Sequence, residues 1–325
     1  MVDVGGRGRG GGAAYAPPVT VVAPVTDGDV AAFCQSLGLP GLVDVHVHFM
    51  PHRVLEKVWH YFDSAGPLLG RPWPVHYREG EGQRLARLRA LGVLAFPSLV
   101  YAHKPGMAAW LTDWSLGFAA EQPDVLATGT FFPEPGVAGY VADGLARGVR
   151  VWKVHVQVGG YDPREPVLDE VWGLLSDAGT PVVAHVGSGP TPGAFTGPGP
   201  FGEVLARHPR LPVVIAHLGM PEAPAFMAMA ERYEQVRLDT TMAFVDFWGP
   251  GEQLGPGLDL GALRALGEAG KVLLGSDFPN IPYPYAHQLE ALARLDLGDA
   301  WLREVCWGAG ARLFGVDAAG GGAPA

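Results

Sequence analysis

The sequence predicts a (β/α)8 TIM barrel, distorted by a long insertion after its first strand. Three observations carry this. Eight short apolar runs recur along 325 residues, each followed by a helix-length segment, the pattern of βα units around a parallel sheet. The chain is long enough for one barrel of about 250 residues with insertions. No GxGxxG follows an early strand, which argues against an open, dinucleotide-binding sheet.

Residues 1–24, rich in Gly, Ala, Pro and Val, read as a disordered tail, 25–317 as one barrel domain, and 318–325 as a flexible Gly/Ala tail. A short helix over 28–39 starts at Asp27 or Asp29, and strand one follows at 42–48. Strand alternation would put Asp44, His46 and His48 on one face and Val43, Val45 and Val47 on the other. Residues 49–80 read as a long irregular stretch whose aromatics and cations, among them Arg53, Trp73 and Arg78, suit a cap over a pocket. Helix 81–91 ends at Gly92 and leads to strand two at 93–100. Helix 107–121, strand three at 125–132 and helix 136–147 come next. Strand four, 149–157, would carry Lys153, His155 and Gln157 on one face. Helix 165–178 stops at Gly179, strand five is 181–186, and a Gly/Pro-rich loop at 187–200 stands beside His185 like a lid. Helix 201–208, strand six at 212–217, helix 221–234 and strand seven at 235–240, with Asp239, continue the alternation. Helix 259–269, strand eight at 271–277 and helices at 285–295 and 299–314 complete it.

Composition narrows the function. Hydrophobic residues make up 48% and charged residues 17% of the chain, enough to bury a large core. A net charge of −10 argues against a nucleic-acid partner. It leaves room for an anionic small molecule, because a metal and a few cations can dominate one pocket. Cys34 and Cys306 have no CxxC spacing and read as reduced, buried thiols. The Gly/Arg-rich start lacks an apolar core of the signal-peptide kind, and no apolar run is long enough to cross a bilayer. The expectation is a cytoplasmic protein without a membrane partner, acting on a small molecule.

The polar residues fall in one place. His46 and His48 end strand one, His185 lies next to last on strand five, His217 ends strand six and Asp277 ends strand eight. Barrel active sites form at those carboxyl ends. Each side chain would be costly if buried without a partner. Imidazoles and a carboxylate at a barrel mouth suit Zn2+ with an open coordination position, and Mn2+, Fe2+ or Co2+ accept the same donors.

These pieces resemble a known family. His46-Val47-His48, Ala184-His185, Ala216-His217-Leu218-Gly219 and Leu274-Gly275-Ser276-Asp277-Phe278-Pro279 look like the amidohydrolase superfamily. More narrowly, they resemble the amidohydrolase-related group that includes aminocarboxymuconate semialdehyde decarboxylase. The closing segment Gly308-Ala309-Gly310-Ala311-Arg312-Leu313-Phe314 fits as well, with Ala309 where the family often has Asn. The resemblance spans about 42–316. It implies metal ligation by His46, His48, His185 and Asp277, with Asp277 also taking a proton from the metal's water and His217 in acid–base work. It implies one divalent ion, Zn2+ first, or two if Lys153 is carboxylated as in the binuclear branch. Lys153, His155 and His217 are candidates for that second ion or for substrate contact, and Arg53, Trp73, Arg78 and Asp239 for substrate binding. A homodimer is common in the family. The implied reaction is metal-dependent hydrolysis of a small ester, lactone or amide; the alternative is decarboxylation of an aromatic or unsaturated acid, which starts from the same ligands.

Overall fold

The computed structural model describes residues 22–248 and 256–317. Apart from residues 22–24, the tails expected at 1–24 and 318–325 lie outside the described residues. Among the described residues, nine short strands run parallel in chain order: β1 Leu42–Val43, β2 Val93–Pro97, β3 Val125–Leu126, β4 Thr128–Thr130, β5 Val151–His155, β6 Val182–His185, β7 Val213–Ile215, β8 Val236–Asp239 and β9 Val272–Leu273. Only Ala127 separates β3 from β4, so these two are the halves of the third of eight strands. The ring closes where the first and last strands meet. Val45 N–H donates to Leu274 O at 2.9 Å, Asp277 N–H to His46 O at 2.8 Å and His48 N–H to Phe278 O at 2.7 Å.

Each strand splits its side chains between two cores, as buried parallel strands do. Trp152, Val182, Val213 and Val272 face the surrounding helices. Val43, Val45, Val151, Val183, Val214 and Leu273 form a separate inner cluster. Ala309, Ala311 and Phe314 of the closing helix Ala309–Phe314 join that inner cluster. Gly310 permits the approach, since a Cβ there would lie 2.8 Å from Val43 Cγ1. One register position further along the same inner face come Lys153 and then His155, so the apolar plug gives way to polar groups toward the carboxyl ends.

Several elements depart from expectation. The stretch 49–80 is not irregular throughout: it contains helices His52–Ser64 and Gly66–Leu69. Val54, Leu55, Val58, Trp59 and Phe62 recur at helical spacing, and Leu55 and Trp59 are buried against Met50, Val100 and Leu111. Strand one is shorter than 42–48, because the chain bends at Val45 and regains only a bridge, Val47 to Phe278. Strict alternation fails there. Val43 and Val45 face inward, while the Asp44 carboxylate accepts from Ser276 Oγ at 2.5 Å and Tyr285 OH at 2.9 Å. Asp44 therefore braces the two strands and does not share the histidines' work. Strand four stops at His155, and Gln157 sits in the helical turn Val156–Gly159. The last helical stretch is interrupted by a π segment, Glu304–Gly308.

Candidate metal centre

The bend at Val45 delivers His46 and His48 into the barrel mouth, and the seam brings Asp277 opposite them. His48 Nδ1 lies 2.7 Å from Leu99 O. A carbonyl only accepts, so Nδ1 carries the hydrogen and Nε2 keeps the lone pair. That Nε2 stands 3.0 Å from Asp277 Oδ1. His46 is arranged alike: Nδ1 donates to Asp239 Oδ2 at 2.9 Å, which turns Nε2 toward Asp277 Oδ1 at 3.9 Å and Lys153 Nζ at 3.3 Å. His46, His48 and Asp277 each offer a donor atom within 4.8 Å of the others'. Two imidazole lone pairs and a carboxylate oxygen facing one another repel unless a proton or a cation stands between them. The donor types and the fixed tautomers fit a divalent metal ion.

The charge states agree with that fit. Burial, and then the charge of Lys153, pushes the His46 pKa well below the ordinary imidazole value. Burial also lowers His217, to about 4, and His185. These rings are neutral, as ligands must be. Burial alone would raise the Asp277 carboxyl; the neighbouring His48, His46 and His217 favour its ionised form by more and hold it well below the usual carboxylate range. Lys153, fully enclosed, is lowered to about 8 by burial, with Asp239 and Asp277 opposing the shift.

The remaining predicted residues fall into distinct positions. His217 donates through Nδ1 to Thr241 O at 3.2 Å and leaves Nε2 open beside His46, ring centroids 5.0 Å apart. His185 stands outside the tight trio: its Nε2 faces Gly189 O at 3.0 Å, and its ring stacks on His155 at 3.9 Å. That stacking follows from register, because His155 and His185 are paired neighbours in β5 and β6. His155 Nδ1 accepts from Val158 N–H at 3.3 Å and so caps the turn after β5. Lys153, His155, His185 and His217 all line the same cavity as the trio, a space of about 1410 Å3.

Two of the substrate-contact candidates lie off the cavity wall. Asp239 is wholly buried and does not line the cavity; it holds His46 and accepts from the backbone N–H of His217 at 2.8 Å and of Thr241 at 3.0 Å. Arg78 is also absent from the cavity wall, its guanidinium bound to Asp63 at 2.6 Å and lying over the Trp59 ring. Arg53 and Trp73 do line it, and Ser188, Gly189, Pro190 and Pro192 bring the 187–200 loop to its edge. Sequence reasoning missed Lys57, Tyr101, Lys104 and Trp110 in the lining. Lys57 could have been found once helix 52–64 was recognised, since it follows Arg53 by one helical turn. Tyr101 and Lys104 sit in a loop with no periodicity to betray them.

The backbone supports the same focus. His217 (φ 56°) and Asp277 (φ 70°) are two of the six described non-glycine residues in the left-handed conformation, which costs of order 1 kcal/mol for an L-residue. Gly275, two residues before Asp277, lets the last strand pass tight against the site: a Cβ there would lie 2.2 Å from Thr241 Oγ1 and 2.9 Å from His46 Cβ.

A family model described as Amidohydrolase matches residues 43–316. No curated protein sequence matches the chain significantly. Solved structures resemble its fold. An uncharacterized TIM-barrel protein from Bordetella bronchiseptica is 16% identical, with a TM-score of 0.66 over 84% of this chain and 98% of that one. A 5-carboxyvanillate decarboxylase from Novosphingobium aromaticivorans, complexed with manganese and a nitrobenzoic acid, is 14% identical, with a TM-score of 0.58 over 86% and 97%. A probable 2-pyrone-4,6-dicarboxylic acid hydrolase from Acinetobacter baumannii is 12% identical, with a TM-score of 0.53 over 85% and 99%. At these identities the likeness establishes the barrel and no more.

Proposed function

This chain belongs to the amidohydrolase family, and on that premise we propose that it is a metal-dependent hydrolase of a small ester, lactone or amide. The observation that carries the reading is the convergence of His46 Nε2 and His48 Nε2, both imidazoles oriented from behind, with Asp277 Oδ1 on one point of the cavity wall. His46, His48 and Asp277 hold one divalent ion, with Zn2+ the first choice by donor type and Mn2+ the rival; His185 stands by as a fourth donor. When bound, the ion acidifies a water and polarises the substrate carbonyl. Asp277, anionic at neutral pH, accepts the attacking water's proton at Oδ. That proton passes from Asp277 to the lone pair of His217 Nε2, open to the cavity, and from there to the leaving oxygen or nitrogen. Lys153 Nζ lies close enough to the centre to donate to the developing oxyanion.

A carboxy-lyase acting on an aromatic or unsaturated acid is the second reading, favoured by a specific observation: the cations Arg53 and Lys153 line the same cavity as the trio. The decarboxylase among the structural neighbours is compatible with it. The deciding experiment loads the protein with Zn2+ or Mn2+ and assays a panel of lactones, esters, amides and aromatic acids. A ring-opened or cleaved product with water added supports hydrolysis, and CO2 release supports the lyase. In the active assay, His217→Ala is expected to lower kcat by about 10²–10⁴-fold while metal content holds, whereas His48→Ala is expected to lose the metal. Retained full activity in His217→Ala overturns its assigned role.

A further inference from the structure

The outer part of the cavity holds charge that the metal chemistry leaves unused. Arg53 and Lys57 lie four residues apart on helix His52–Ser64 and so share one face. Both line the cavity together with His103 and Lys104 from the segment after β2. The His103 imidazole is lowered by partial burial and then by the fields of Lys104 and Lys57. Among the described residues, Arg53, Lys57 and Lys104 have no carboxylate within ion-pair reach. Elsewhere many arginines are paired, such as Arg89 with Asp124, Arg147 with Asp113 and Arg164 with Asp162 and Glu203, while Arg71, Arg84, Arg150 and Arg237 bond backbone carbonyls instead. The chain has 33 acidic and 23 basic residues, so three cations without a carboxylate partner along one cavity run against its composition. The adjoining wall is apolar and open, with Tyr61 49% and Trp110 42% exposed. Stacked Phe62 and Trp73, 5.0 Å apart, continue it with Trp248. A cation set beside low-dielectric walls attracts an anion more strongly than one on open surface.

We infer that Arg53, Lys57 and Lys104 form a second anion subsite, which holds a remote carboxylate of an elongated, flat-bodied substrate whose reacting group lies at His46, His48 and Asp277. The inference rests on the reading of this cavity as the substrate site and names the substrate class as a dianion with its charges at opposite ends. The test measures binding, so it stands apart from turnover. Metal-loaded wild type is titrated by calorimetry with biphenyl-4,4′-dicarboxylate and with biphenyl-4-carboxylate, then the titrations are repeated with Lys57→Glu/Lys104→Glu. Wild type is expected to prefer the diacid by about tenfold, and to lose most of that preference in 0.5 M salt. The double variant is expected to abolish or invert the preference while metal content and the mono-acid affinity stay the same. Equal affinities in wild type, no binding of either acid, or a preference that survives both charge reversals overturns the subsite. A diacid preference in a protein that hydrolyses and decarboxylates nothing leaves the subsite standing and removes the enzymatic reading instead.

Discussion

Asp239 shows how much of the candidate centre depends on a residue that never meets the cavity. One carboxylate oxygen holds His46 Nδ1, and the other accepts two backbone N–H groups. Asp239→Asn cannot satisfy both sides: an amide that keeps its oxygen on the backbone turns its NH2 toward His46 and drives the ring to the other tautomer. Metal affinity is expected to fall about 10–100-fold, measured by competition with a chromogenic chelator, with far-UV circular dichroism unchanged. Asp277 permits a cleaner separation of charge from backbone. Asn is among the residues that tolerate the left-handed region, so Asp277→Asn is expected to match the thermal midpoint of metal-free wild type while binding no ion. A large drop in the midpoint of the metal-free protein would show that the carboxylate also supports the fold. The ligand candidates were legible from sequence because buried imidazoles interrupt otherwise apolar strands. Asp239 was visible as a residue but not in its role, since the contact with His46 spans 193 positions.

The strands illustrate what sequence patterns report well. β6 and β7 are buried on both faces and read as near-continuous apolar runs, so their order and spacing could be read directly. Strand one could not be read residue by residue. Its bend at Val45 results from the seam with the last strand, a partner more than 200 positions away. Helix His52–Ser64 was hidden by its mixture of histidine, aromatic and charged residues, although its apolar positions keep helical spacing. Gly275 is the most exacting position in the last strand. Gly275→Ala is expected to push Thr241 and His46 apart and to cost about 1–3 kcal/mol, read from chemical denaturation, with weakened metal binding alongside. An alanine variant with wild-type stability and affinity would mean that the seam can relax without loss.

At the scale of the whole molecule, both thiols report on burial. Cys34 is pushed up to about 11 from an ordinary value of 9.0, mainly by burial, and Cys306 is shifted further in the same direction. A thiol whose folded pKa is raised stays protonated in the native state while the unfolded chain ionises. The native state then binds more protons, and stability falls as pH rises from about 9 to about 11. Wild type is expected to lose on the order of 2 kcal/mol more than Cys34→Ala across that window, measured by urea titration at each pH. Equal losses would place the Cys34 thiol in contact with water. Chelation acts on the whole molecule too. Because an ion bound only by the folded chain adds stability by mass action, removing it is expected to lower the thermal midpoint of wild type and to leave Asp277→Asn unmoved.

The seam that closes the barrel sets the order in which this protein can become competent. His46 and Asp277 come from opposite ends of the described chain and are joined by the backbone bond from Asp277 N–H to His46 O. A nascent polypeptide that has made the first strand but not the last owns two imidazoles and no pocket. An ion held by His46, His48 and Asp277 would be captured only after both strands have been made and the ring has shut, which would put metal uptake late in folding.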